Sequence, residues 1–276
     1  MRLPLEDGFH DILRKAMHGR RLPPSELTRR TGVPADRIAA LLDGEVDEIA
    51  LLRLAPELDL DPRSLAAIAR GDSYPETPDM PPGFRMATAP FGDMTVNSFL
   101  VWDATSREAA LFDTGAAAEL VAFARAEGLR LTKIFITHAH RDHVAGIEAL
   151  ARSTGAEVFT EEREPIAGVA ATTFRAGDPF RIGPLDIETR STCGHSPGQT
   201  TFVITGLARP LAAVGDALFA GSLGGAPGAY AEQLGNTAQK ILTLPGDTLV
   251  APGHGPLTTV AAERAHNPFF ANRRLA

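Results

Sequence analysis

The chain has 276 residues, of which 44% are hydrophobic and 22% are charged. This is an ordinary globular composition, and the length favours one large domain or two. A formal net charge of -7 gives no general attraction to polyanions such as nucleic acids. Because its one cysteine, Cys193, cannot form an internal disulfide or a cysteine-rich zinc module, any metal ligands must be His, Asp or Glu.

The apolar runs of the chain exclude a membrane-spanning protein. The longest runs are far shorter than the roughly 20 residues of a membrane helix. Residues 1–10 carry Arg2, Glu6 and Asp7 and lack the apolar stretch of a secretory signal. We therefore expect a cytoplasmic protein that does not associate with a membrane.

Residues 1–70 predict a small all-helical domain. Pro24 and Pro34 stand near helix starts, and Gly32 and Gly44 stand near helix ends. The five short helices are expected at about 8–18, 24–31, 35–43, 47–58 and 61–69. Residues 71–83 contain four prolines and two glycines, which predicts an extended linker, and residues 84–276 form the second domain.

Residues 25–44 resemble the helix-turn-helix of phage-repressor-type regulators, which implies a reading helix over Ala35–Leu42. That helix offers Asp36 and Arg37 as its polar groups, and residues 1–70 carry 11 basic and 12 acidic side chains. Because DNA affinity depends mainly on neutralised phosphates, we favour a packing or dimerisation domain, and hence a homodimer, over DNA binding. We expect the apolar face of this helix to contact a partner chain or the second domain. The alternative is a local basic face made by Arg14, Lys15, Arg20, Arg21, Arg29 and Arg30.

The second domain begins with strand patterns that lead into a histidine cluster. Strands are expected at 95–103 and 108–115, a helix at 116–127, and a buried strand at 131–137. Directly after that strand come three histidines and an aspartate within six residues, namely His138, His140, Asp142 and His143. Imidazole and carboxylate are natural ligands for zinc, iron or manganese, so the cluster predicts a metal site.

Three further candidate ligands, His195, Asp216 and His254, each lie next to or near glycines, which let the backbone approach a metal closely. In this order, the set resembles that of the metallo-β-lactamase fold superfamily, in its glyoxalase II-like branch, over residues about 84–270. The resemblance implies an α+β domain built as a four-layer αββα sandwich.

The same resemblance implies two divalent metal ions, with zinc expected and iron or manganese as alternatives. It assigns the first ion to His138, His140 and His195, the second to Asp142, His143 and His254, and a bridging role to Asp216. Asp142 and Asp216 are the candidate catalytic carboxylates, and Asp113 is expected to orient a ligand histidine. Two ions about 3.5 to 4 Å apart would hold a hydroxide that attacks an acyl carbonyl. The predicted function is therefore thioester or ester hydrolysis, hydroxyacylglutathione hydrolase-like.

Two alternatives remain open at this stage. Related proteins oxidise persulfides with one iron, and a comparable iron site would use His138, His195 and Asp216. A regulator with a metal-containing sensor domain would instead require a basic DNA-reading face. Few residues follow His254, and residues 221–228 are neutral and glycine-rich, so the basic residues with which glyoxalase II holds glutathione have no obvious counterpart. A less charged small-molecule acyl thioester or ester is therefore an equally good substrate.

Overall fold

The computed structural model describes residues 2–76 and 78–271 as a sequence of five helices followed by a mixed α+β body. The helices are α1 (Phe9–Arg20), α2 (Pro24–Thr31), α3 (Ala35–Leu42), α4 (Glu48–Glu57), α5 (Pro62–Ala69), α6 (Ala117–Ala126), α7 (Ile147–Thr154), α8 (Tyr230–Lys240) and α9 (Val260–His266). The strands are β1 (Phe84–Phe91), β2 (Met94–Trp102), β3 (Glu108–Phe112), β4 (Arg130–Phe135), β5 (Glu157–Glu161), β6 (Ala171–Phe174), β7 (Pro179–Ile182), β8 (Leu185–Ser191), β9 (Thr200–Thr205), β10 (Leu211–Gly215), β11 (Leu249–Pro252) and β12 (Thr258–Thr259). Among these helices, none is long and apolar enough to cross a bilayer.

The strands form two six-stranded sheets. The first has the order β1-β2-β3-β4-β5-β6 and the second the order β12-β11-β10-β9-β8-β7. In the first sheet β3 to β6 run parallel, and in the second the β10–β11 pair is parallel. Phenylalanines from both sheets, among them Phe99, Phe112, Phe135 and Phe202, pack together in the layer between them. The expected mixed α+β fold with two packed sheets is confirmed.

Helices cover the outer faces of both sheets. On the first sheet, Leu111 and Ile134 pack with Leu120 of α6 and Ile147 of α7. On the second, Val214 of β10 belongs to one apolar cluster with α8 and the first five helices. Four layers result, and the N-terminal helices contribute to one of them.

The N-terminal helical unit, α1 to α5, has bounds within about two residues of the prediction. Asp47 and Asp61 cap α4 and α5 by accepting the backbone N–H groups of Ala50 and Ser64. We expected the apolar face of α3 to contact a partner chain or the second domain. This expectation was wrong, because that face, with fully buried Ile38 and Leu41, packs mainly on α1 and α2.

The basic side chains of the helical unit are largely engaged with acidic ones. Arg37, on the expected reading helix, contacts Asp47 and Glu45. Ion pairs with acidic partners in the same unit or the segment before it are also made by Arg14, Lys15, Arg20, Arg29 and Arg30. These pairs reduce the positive potential that the unit can present to a polyanion.

Candidate metal centre

The seven predicted ligand residues lie together at one edge of the two sheets. His138, His140, Asp142 and His143 follow β4, His195 lies in the turn between β8 and β9, Asp216 follows β10, and His254 follows β11. The strands β3, β4, β10 and β11 belong to the parallel pairs. Carboxyl ends of parallel strands meet at one edge of a sheet, which explains how ligands distant in sequence converge.

The first group of donor atoms consists of three histidine nitrogens. His140 Nδ1 lies 3.1 Å from His138 Nε2 and 3.0 Å from His195 Nε2. His138 is fully buried, while His140 is exposed. This trio therefore opens to solvent on the His140 side.

The second group combines a carboxylate with two histidines. Asp142 Oδ2 lies 3.3 Å from His143 Nε2 and 3.2 Å from His254 Nε2. All three side chains are largely buried. Three donors of the types that bind divalent metals thus converge a second time.

Asp216 connects the two groups. Its Oδ2 atom lies 3.3 Å from His195 Nε2 and 3.4 Å from His254 Nε2, and its Oδ1 atom lies 3.4 Å from His143 Nε2. One carboxylate therefore reaches a histidine of the first trio and both histidines of the second. This is the arrangement that the bridging position requires.

Asp113 and Thr137 fix the rings of His143 and His138. Asp113 Oδ2 accepts the Nδ1–H of His143 at 2.8 Å, as expected, and Asp113 also accepts the backbone N–H and the hydroxyl of Thr137, both at 2.8 Å. Because the Thr137 proton is directed to Asp113, its oxygen accepts from Nδ1 of His138 at 3.1 Å. Both rings consequently turn their Nε2 atoms toward the centre.

Backbone carbonyls fix two more rings. His195 Nδ1 lies 2.7 Å from the carbonyl oxygen of Gly225, and His254 Nδ1 lies 2.5 Å from that of Thr95. A carbonyl oxygen can only accept, so each Nδ1 carries a proton and each ring turns its Nε2 atom toward the centre.

These hydrogen bonds leave an imbalance that a cation would remove. His138 Nε2 and His195 Nε2 both present lone pairs to His140 Nδ1, which has at most one proton to donate. The buried atoms His143 Nε2 and Asp216 Oδ1 lie 3.4 Å apart, but neither forms a hydrogen bond with a described residue. Buried polar atoms without partners are costly. The residues present therefore fit a binuclear metal site.

The electrostatics of the centre fit the same conclusion. Burial lowers the pKa of His138 and of His195, which keeps both rings neutral as metal ligands must be. Burial disfavours the charged form of His254 too, but hydrogen bonds to Asp142 and Asp216 raise its pKa to about 10. Without a metal, protons on histidine thus balance the carboxylates, and a divalent cation would displace those protons.

Glycines beside the ligands allow this close packing. A Cβ atom at Gly253 would lie 2.3 Å from Asp216 Oδ1 and 2.6 Å from His143 Cε1. A Cβ atom at Gly224 would lie 2.2 Å from the carbonyl oxygen of Asp216. The expectation that glycine brings backbone near the ligands is met at these positions.

Sequence reasoning missed one buried carboxylate, Glu164. Its Oε2 atom accepts the N–H of Ala139 at 2.8 Å, and its Oε1 atom accepts the N–H of Gly198 at 2.7 Å. Glu164 thereby joins the loop of His138 and His140 to the loop of His195. A single glutamate in a turn after β5 has no spacing pattern, so nothing in the sequence singled it out.

Comparison with known proteins agrees with this geometry. Residues 91–254 match the metallo-beta-lactamase superfamily. The chain belongs to this superfamily. The match begins after the helical unit, and it covers strands β2 to β11 and all seven predicted ligand residues.

Three relatives show the range of activities near this chain. It is 31% identical to the probable metallo-hydrolase YqgX of Bacillus subtilis, over 66% of this chain and 95% of the relative. It is 36% identical to hydroxyacylglutathione hydrolase of Cereibacter sphaeroides, over 57% of this chain and 61% of the relative. It is 33% identical to human mitochondrial persulfide dioxygenase ETHE1, over 62% of this chain and 70% of the relative. The chain thus spans about three fifths of the hydroxyacylglutathione hydrolase that it matches.

Proposed function

We propose that this superfamily member hydrolyses a small acyl thioester or ester with two divalent metal ions, zinc being the ion we favour. The observation that carries the proposal is the position of Asp216, whose carboxylate contacts histidines of both donor groups. Relatives named as a metallo-hydrolase and a hydroxyacylglutathione hydrolase support the same reaction class.

Each ligand residue has a defined task in this proposal. The first ion is assigned to His138, His140 and His195, the second to Asp142, His143 and His254, and both to Asp216. When bound, two such ions lower the pKa of a coordinated water to about 7 and polarise the scissile carbonyl. Asp142 and Asp216 supply the negative charge that holds the ions, since neighbouring histidines keep their pKa values below the usual range against the effect of burial.

The residues behind the ligands keep the site ready for the reaction. Asp113, Gly225 and Thr95 hold three rings with their Nε2 atoms inward, so no reorientation is needed when the substrate binds. The exposed edge at His140 leaves a route for the acyl carbonyl. A thiol leaving group ionises near pH 8.5, so a thioester can be cleaved without an acid to protonate the leaving sulfur.

Persulfide oxidation is the second candidate, because a relative that is 33% identical carries that name. A single redox iron would use His138, His195 and Asp216 as ligands and would need open coordination positions for oxygen and substrate. In that case the converging donor atoms of Asp142, His143 and His254 would bind no metal ion. We therefore favour hydrolysis.

The deciding experiment compares zinc and iron in one preparation. The chain is stripped of metal, reloaded with zinc or with iron, and assayed for hydrolysis of acyl thioesters and esters and for oxygen uptake with glutathione persulfide. Zinc cannot change its oxidation state, so we expect the zinc form to hydrolyse a thioester or ester without oxygen uptake. Activity only with iron, with oxygen consumed in step with the persulfide, would replace this proposal by the second candidate.

Elemental analysis tests the number of ions. We expect about two ions per chain in the loaded protein, and loss of both activity and metal in Asp216→Ala. The matched control is Asp186→Ala, which removes an exposed carboxylate paired with Arg181. At most one ion in fully loaded, active protein would refute the binuclear arrangement.

A further inference from the structure

The carbonyl that orients His195 belongs to a segment that lies outside the helices and strands. We call residues 221–228, between β10 and α8, the glycine strip. Gly225 of this strip accepts the Nδ1–H of His195 at 2.7 Å, and the N–H of Gly224 donates to the carbonyl oxygen of Asp216 at 3.1 Å. The position of the strip therefore determines the orientation of the His195 ring. The strip also contacts the backbone of Asp216, a second proposed ligand.

The body of the protein holds the strip from one side. Gln233 Nε2 donates to the carbonyl oxygens of Gly224 and Asp216 at 3.2 and 3.1 Å. Asn267 Nδ2 donates to the carbonyl oxygen of Ser222 at 3.0 Å. These contacts hold the carbonyl groups of Ser222 and Gly224. The carbonyl of Leu223, which lies between them, is left for another donor.

The N-terminal helical unit holds the strip from the other side. Lys15 of α1 donates from Nζ to the carbonyl oxygen of Leu223 at 2.8 Å and forms an ion pair with Asp7. The hydroxyl of Ser222 donates to the same Asp7 carboxylate. The side chains of Asp7 and Lys15 are only 9% and 21% exposed, so water screens this pair weakly.

The same lysine lies close to the second donor group. Its Nζ atom is 5.4 Å from the centre of the Phe219 ring, and that ring packs edge-on against His254 at 5.6 Å between centroids. Leu223 itself is fully buried in the apolar cluster that the helical unit shares with the second sheet.

We propose that Lys15 and Asp7 are positioning residues for the metal centre, and that the helical unit serves as a brace of that centre. By holding the Leu223 carbonyl and the Ser222 hydroxyl, they set the place of Gly225 and so the direction of His195. This inference rests on the proposed function, because it takes His195 as a metal ligand. The superfamily match begins at residue 91, so the brace is a feature of this chain outside the matched region.

The test is a Co²⁺ titration of metal-free full-length chain, followed by visible absorption. The variant is Lys15→Met, and the matched control is Lys133→Met, which removes a similarly buried lysine from its pair with Glu108 on the first sheet. His195→Ala identifies which binding step belongs to the first site. We expect Lys15→Met to weaken that step by about tenfold to a hundredfold, as loss of outer partners does elsewhere, and Lys133→Met to leave it unchanged. Loss of a nearby positive charge alone would strengthen cation binding, so charge cannot mimic the expected result.

A double variant separates positioning from simple loss of stability. Lys15→Met alone leaves the Asp7 carboxylate buried without its cationic partner, which destabilises the fold. Asp7→Asn combined with Lys15→Met removes both charges, so thermal stability should recover while the first-site affinity stays low. If affinity recovers together with stability, or if Lys15→Met binds Co²⁺ like the wild type, the brace is refuted. If His195→Ala leaves both binding steps intact, the ligand assignment of the proposed function fails instead.

Discussion

The buried carboxyl of Glu263 predicts a specific dependence of stability on pH. Glu263 of α9 is 3% exposed, and it accepts hydrogen bonds from Thr258 Oγ1 at 2.7 Å, Asn267 Nδ2 at 2.8 Å and the N–H of Gly221 at 3.0 Å. Burial outweighs these bonds and raises the pKa of Glu263 from 4.5 to about 7. Between about pH 4.5 and 7, the Glu263 carboxyl is therefore mainly neutral in the folded chain and mainly ionised in the unfolded chain.

The sign and size of the effect follow from this difference. Because the pKa of Glu263 is higher in the folded state, its contribution to stability is complete below about pH 4.5 and is lost as the pH rises to about 7. A tenfold change in an equilibrium corresponds to about 1.4 kcal/mol, so the free energy of unfolding should fall by about 3 kcal/mol across this interval on account of Glu263.

Glu263→Gln tests the reasoning, because glutamine has nearly the same shape and does not ionise. Urea unfolding of metal-free protein at about pH 4.5 and pH 8 gives the free energy of unfolding of each form. We expect the variant to gain about 3 kcal/mol relative to wild type between the two pH values. Glu148→Gln, which changes an exposed glutamate paired with Arg152, should show no such gain. An equal pH dependence in wild type and Glu263→Gln would refute the argument.

Three further predictions concern the centre and the helical unit. His254→Ala should empty mainly the second site, and elemental analysis that finds equal loss from both sites would mean that they assemble together. Glu164→Ala should lower the first-site Co²⁺ affinity by about tenfold or more, because the backbone N–H groups of Ala139 and Gly198 lose their acceptor. The control is Glu162→Ala, which removes an exposed glutamate paired with Arg175. In fluorescence anisotropy at about 150 mM salt, the full chain should form no submicromolar complex with duplex DNA, since most basic side chains of its helical unit are paired with acidic ones. Such a complex would contradict the ion-pair argument.

The clustering of the proposed ligand residues was predictable in part, because four of them are close together in the sequence. His138, His140, Asp142 and His143 stand together after a buried strand, so the side chains themselves carry the signal. The groups that orient them carry much less. The acceptor on His195 is a backbone carbonyl of Gly225, which every residue type possesses, and only the folded chain shows which carbonyl is near.

The packing of the helical unit on the second sheet could also have been predicted from the sequence, namely from the apolar runs of β10 and β11. Both faces of β10 and β11 are buried along their whole length, and such strands read as continuous apolar runs that need a covering layer on each side. The first sheet supplies one layer, whereas α8 offers Leu234 as its only large aliphatic side chain. A further apolar surface was therefore required outside β10, and the leucine-rich helices before the linker were the part of the chain able to provide it. A helical unit that completes the core of the second sheet also lies next to the strand end that carries Asp216, which is why Lys15 reaches the glycine strip beside the proposed ligands.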